Sequence, residues 1–184
     1  MDKYLTADGL KSKTGQYKDT VWETGGKFVQ GDILALPFAD DYADLIECHQ
    51  VLEHFQMKDV VPALKEMRRV LKPGGEIIIT VPSFAACMLE FIRLEIAENS
   101  NINDYIYIAQ ELYGNQIHNG EFHKCPMTVK LLKWFLTQAG FTGGTVAVFP
   151  RNEPIPKKGV GLASNIGGKM LVWRSETIFL KLGK

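Results

Sequence analysis

The chain has 184 residues, 46% of them apolar and 23% charged, and its 21 basic side chains match 21 acidic ones. That length and balance suit one globular domain with a full core, and zero formal net charge gives no electrostatic reason to expect nucleic acid or an anionic membrane as partner. No apolar run approaches the ~18–20 residues of a membrane helix, and an early acid without an apolar stretch argues against a secretory signal. The three cysteines, Cys48, Cys87 and Cys125, are odd in number and far apart, so a disulfide framework is not expected and a reducing cytoplasm is the simplest setting.

No internal repeat or low-complexity segment interrupts the chain, and one domain is expected over residues 1–184. KFVQGDI (Lys27–Ile33) is short and strand-like, and DLIECHQ starts as a buried strand at Leu45 and Ile46 and then turns polar. The turn-prone Asp40-Asp41 lies between them and reads as a turn, not an acid–base pair. In DVVPALKEMRRVLKPGG, Val60, Leu64, Met67 and Leu71 fall on one helical face. Pro62 is tolerable only near the start of that helix, and Pro73-Gly74-Gly75 is its expected stop. Lys65, Arg68 and Arg69 make its solvated face.

EIIITVP follows as a continuous β-branched run, as in a parallel strand buried on both faces. Strand, helix and strand joined by short connections form a βαβ unit. FAACMLEFIRLEIAEN and NDYIYIAQELYG read as two further helices. TVKLLKWFLTQAG reads as another, with Thr128 as N-cap, Gly140 as stop and Trp134-Phe135 in the core. Two strands close the chain, Thr145–Phe149 and Ser175–Leu182, and MLVWR is a candidate extension of the second. Residues 150–169 between them form a long Pro/Gly-rich loop. The expected fold is α/β, three layers, with helices on both faces of a mostly parallel sheet.

In such sheets ligands sit at the carboxyl ends of the strands. Those tips are Ala7-Asp8-Gly9, Trp22-Glu23, Asp32-Ile33, Cys48-His49-Gln50 and Pro82-Ser83. The strings GDILALPFADDYADLIECHQVLEHF, LKEMRRVLKPGGEIIITVP and LLKWFLTQAGF resemble the class I S-adenosylmethionine (SAM)-dependent methyltransferases, in particular a small type-11-like branch. The resemblance is strong over 28–83, fair over 111–142 and weak at both ends. It implies a seven-stranded Rossmann-like sheet, order 3-2-1-4-5-7-6, with an antiparallel last strand. It also implies SAM as cofactor and a small-molecule or sugar-type methyl acceptor.

Roles follow from the same resemblance. Asp32 and Ile33 match the adenine side of the cofactor site, and Cys48, His49 and Gln50 match the strand tip that lines the methionine part. The family's glycine-rich loop is degenerate here. In one register Leu5–Leu10 is that loop, retaining Gly9 beside Asp8, and Glu23 is the ribose acid, with Asp19 as runner-up. In another register YLTAD is the second strand and Asp8 is the ribose acid. Either lowers the expected affinity for SAM, and keeps open a second function, a methyltransferase-like binding protein without SAM. A nicotinamide Rossmann enzyme needs a G-x-G-x-x-G that this chain lacks.

Residues 114–126 look like a substrate-side lid punctuated by Gly114 and Gly120. His49, His118 and His123 are candidate bases or substrate-side residues, since histidine is the side chain suited to proton transfer at neutral pH. A cofactor-wall or capping role is the plainer alternative for His49, and His54 is a weaker candidate base. His118, His123 and Cys125 follow H-x4-H-x-C, which matches no familiar metal site, so no metal is expected. Gly25-Gly26 reads as a turn and Lys157-Lys158 as solvated loop residues.

Overall fold

The computed structural model describes residues 29, 31–117, 120–142, 145–149 and 177–184. The strand positions expected before residue 29, the 150–169 loop and MLVWR lie outside the described residues, as do Asp8, Gly9, Asp19, Glu23, His118 and Lys157-Lys158.

The elements in chain order are β1 (Ala43–His49), a single 3-10 turn (Leu52–His54), α1 (Met57–Val70), β2 (Leu71–Pro82), α2 (Phe84–Ile96), α3 (Ile102–Tyr113), α4 (Val129–Gln138), β3 (Thr145–Phe149) and β4 (Thr177–Gly183). Four strands hydrogen-bond in the order β1-β2-β4-β3. β1 and β2 are parallel, and β4 runs antiparallel to both β2 and β3. This is the 4-5-7-6 part of the expected sheet, with its antiparallel last strand, and the architecture is the Rossmann-like α/β fold.

β1-α1-β2 is the βαβ unit that the pattern predicts. α1 buries Val60, Ala63, Leu64, Met67 and Val70, and the first four join Leu52, Ile77, Ile79, Val81, Leu132, Phe135 and Phe141 in the main core. The helix stops at Val70, three residues before Pro73, because Leu71 already takes extended backbone and begins β2. The Pro-Gly-Gly stretch then bulges out of the β1–β2 ladder, between the pairs Ala43–Leu71 and Leu45–Glu76. Gly75 has no room for a side chain: a Cβ there would lie 2.9 Å from Leu71 Cδ1 and 3.0 Å from the Asp44 carbonyl oxygen.

α2 and α3 form a second, smaller core through Cys87, Leu94, Ile108 and Leu112. Thr128 caps α4 as expected, its Oγ1 accepting from Leu131 N, and Ser83 Oγ accepts from Ala86 N at the start of α2. Gly114 and Gly140 take the left-handed backbone that ends α3 and α4.

Four expectations change. Asp32 and Ile33, expected to finish a strand, lie in a tight turn in which Asp32 Oδ1 accepts from Leu34 N at 2.9 Å and Ala35 N donates to the Asp32 carbonyl. Leu45 is 48% exposed, and Cys48 is the β1 side chain that enters the core. Trp134 is 54% exposed while its neighbour Phe135 is buried, because α4 turns only one face inward. Arg69 is no free surface cation. It donates to Glu66 at 2.7 and 2.9 Å, to Asp40 at 2.6 Å and to the Leu36 carbonyl at 3.2 Å, clamping the 36–40 turn onto α1.

Candidate functional site

The carboxyl ends of β1 and β2 lie side by side, with His49 in register with Thr80. The His49 ring meets the hydroxyl of Thr80 through Nδ1 at 3.0 Å, and Gln50 N donates to the Thr80 carbonyl at 2.8 Å. Gln50 carries φ +53°, a left-handed conformation that costs a non-glycine residue of order 1 kcal/mol and recurs at functional sites. This kink ends β1 and aims the chain into the 3-10 turn.

Polar atoms at this tip are buried and unanswered. His49 Nε2 and Gln50 Nε2 have no hydrogen-bond partner among the described residues, a condition that native proteins rarely leave without a ligand or water. Burial lowers the His49 pKa, with Glu47 opposing, so the ring is neutral at pH 7 and able to take a proton. Cys48 is different: burial, with Glu53 adding to it, holds its thiol far above the ordinary range, and it packs with Ile33 in the main core. It is a buried packing residue, not an activated thiol.

The described part of the sequence-predicted site therefore divides. His49 and Gln50 share the β1 tip. Ile33 and Cys48 are packed into the core, and Asp32 is exposed at its turn. His123 stands apart from His49, on the segment after α3, where it bonds the Glu111 carbonyl through Nδ1 at 2.8 Å.

Sequence reasoning passed over Glu53. Its position in LEH, at the start of the 3-10 turn, suggests an exposed helix-opening acid. It is instead 2% exposed, and neither carboxylate oxygen has a hydrogen-bond partner among the described residues. Burial pushes its carboxyl up to about 8, with Glu111 adding to the shift. Its carbonyl accepts from Lys124 N at 2.7 Å and Cys125 N at 3.1 Å, so the segment after α3 is bolted to the turn after β1. The start of α2 is tied to the same stretch, Phe84 N donating to the Met127 carbonyl at 2.8 Å. No helix among the described residues is long and apolar enough to cross a membrane.

Comparison with known proteins supports the resemblance read from the sequence. Residues 7–79 match the family described as a methyltransferase domain. The chain is 35% identical over 95 residues to a demethylmenaquinone methyltransferase from Mycolicibacterium paratuberculosis, an alignment covering 46% of this chain and 40% of that protein. It is 52% identical over 48 residues to an uncharacterized methyltransferase from Schizosaccharomyces pombe, covering 26% of this chain and 16% of that protein. The chain thus spans well under half the length of these relatives. Among solved structures it is similar to SAM-dependent methyltransferases from Archaeoglobus fulgidus, with TM-score 0.54, 16% identity and coverage of 98% of this chain and 73% of that one, and from Methanosarcina mazei, with TM-score 0.56, 18% identity and coverage of 98% and 79%. At these identities the structural likeness concerns the fold. The partial family match and the partly covered relatives are all methyltransferases, and the solved structures share the fold.

Proposed function

We infer that this chain, related in family match and fold to the class I SAM-dependent methyltransferases, carries the acceptor-side half of a methyl-transfer site for a small-molecule acceptor. On the sequence reading the acceptor is a small molecule or a sugar-type compound. The named activity of the demethylmenaquinone methyltransferase relatives favours a quinone-like ring hydroxyl or ring carbon as the second class to test.

The observation that carries the reading is the β1 tip, where two buried side-chain nitrogens, on His49 and Gln50, lack partners among the described residues beside a strained Gln50 backbone. Those nitrogens suit a polar cofactor or acceptor, so the residues present fit SAM. Asp32 would hold the adenine amino group by a charge-assisted contact, and Gln50 and His49 would line the methionine end. Asp8, Gly9 and Glu23 complete the cofactor side on the sequence reading, and the family match beginning at Ala7 supports counting Asp8 and Gly9 within the domain.

SAM supplies an electrophilic methyl group on a good leaving group. The chain's own task is then alignment and exclusion of water. Neutral His49, its ring held by Thr80, is positioned to accept a proton from an acceptor hydroxyl. Leu52 and Glu53 of the turn that follows the tip are buried.

Calorimetric titration of SAM with wild type, His49→Ala and Gln50→Ala tests the reading. The expected result is measurable wild-type binding that weakens in Gln50→Ala. Equal binding by all three proteins would remove the β1 tip from the site.

A further inference from the structure

The turn after β1 and the segment after α3 bring three candidate ligand side chains together. Glu53, His54 and His123 each place a ligand atom within 4.8 Å of the other two. The two imidazoles sit edge to face, with ring centroids 4.8 Å apart.

Hydrogen bonding fixes the chemistry of this trio. His54 bonds the Phe122 carbonyl oxygen through Nδ1 at 3.2 Å, and His123 bonds the Glu111 carbonyl oxygen through Nδ1 at 2.8 Å. A carbonyl oxygen only accepts, so each ring carries its proton on Nδ1 and its lone pair on Nε2. Histidines that ligate metals are commonly held this way, with the second ring nitrogen tied to a backbone carbonyl. Glu53 adds a carboxylate that is 2% exposed and has no hydrogen-bond partner among the described residues. Burying a carboxylate without a partner is costly, and a cation answers that cost.

We propose that Glu53, His54 and His123 form a divalent metal site, a two-histidine-one-carboxylate set best suited to Zn²⁺. Nitrogen and carboxylate donors suit zinc, and three protein ligands leave a fourth position for water or a substrate oxygen. Magnesium and calcium prefer all-oxygen sites. The trio differs from the H-x4-H-x-C set that the sequence suggests and sets aside. It draws two ligands from the turn after β1 and one from the segment at 120–125, so the ion would pin that segment to that turn. The site is independent of SAM binding.

The test uses full-length protein stripped with a chelator, Zn²⁺ titration against a chromophoric competitor, and Co²⁺ as spectroscopic probe. The proposal predicts one Zn²⁺ per chain with a dissociation constant of ~1 µM or tighter. It predicts a loss of about 10- to 100-fold in Glu53→Gln and in His123→Ala, a scale typical of disturbed metal sites. Glu53→Gln keeps the shape and removes the ligating carboxylate, so it remains folded and informative if His123→Ala does not. Cys125→Ser should bind as wild type does, and Co²⁺ should give visible ligand-field bands without a thiolate charge-transfer band. Absence of stoichiometric binding by wild type, unchanged affinity in Glu53→Gln, or a thiolate band lost in Cys125→Ser would each overturn the assignment.

Discussion

The ring of His49 and the hydroxyl of Thr80 face each other at 3.0 Å across the parallel pair β1–β2. Thr80 is buried, so this contact links the core of the sheet to the polar tip where β1 ends. Replacing Thr80 with Val keeps the shape and removes the partner. Thr80→Val should lower unfolding free energy by about 1 kcal/mol, the usual scale for one buried hydrogen bond, as read by urea denaturation.

His49 also gives a pH signature. Burial lowers its folded pKa below 6.5, so the unfolded chain binds more protons between the two values. Stability should therefore be fully present above about 6.5 and fall as pH drops through the folded value. The slope in that window should diminish in His49→Gln, measured by denaturation midpoints at a series of pH values. An unaltered slope would mean that His49 is not the group responsible.

Asp32 offers a separable test of cofactor recognition. Its Oδ1 holds the Leu34 N–H at 2.9 Å, so Asp32→Ala would remove a turn contact as well as a charge. Asp32→Asn keeps an acceptor for the turn. If Asp32 meets the adenine amino group, both variants should weaken SAM binding, Asp32→Asn by about tenfold, equivalent to about 1.4 kcal/mol. Binding unchanged in both would remove Asp32 from the site.

Gly114 is the hinge of the segment bearing His123. Its φ is +81°, and a Cβ there would fall 1.6 Å from the Glu121 carbonyl oxygen. Gly114→Ala should cost at least about 2 kcal/mol by forcing the backbone apart. Differential scanning calorimetry would show it as a clear drop in Tm. The same variant should weaken Zn²⁺ binding, because it displaces His123 from Glu53 and His54.

Periodicity carried most of this fold. The spacing of Val60, Leu64 and Met67 gives α1, the β-branched run Ile77–Val81 gives the inner strand, and Thr128 with Gly140 brackets α4. Strand tips were legible because βαβ geometry alone places His49 and Gln50 there. The Glu53 environment was not legible. A lone acid in LEH follows no apolar period, and its burial depends on a segment some seventy residues later folding back to donate two N–H groups to its carbonyl. Trp134 and Phe135 show the same limit at short range, since adjacent aromatic residues on a helix cannot both face one core. Asp32 was legible as a polar position but not as a turn, because its side chain satisfies the local backbone in place of a strand neighbour.

Calorimetric titration of SAM and of its demethylated product into the purified protein tests the central claim most directly. The account predicts saturable binding of both in the micromolar range, weakened in Gln50→Ala. No binding of either up to millimolar concentration would contradict it, and would make the chain a methyltransferase-like binding protein that has lost its cofactor.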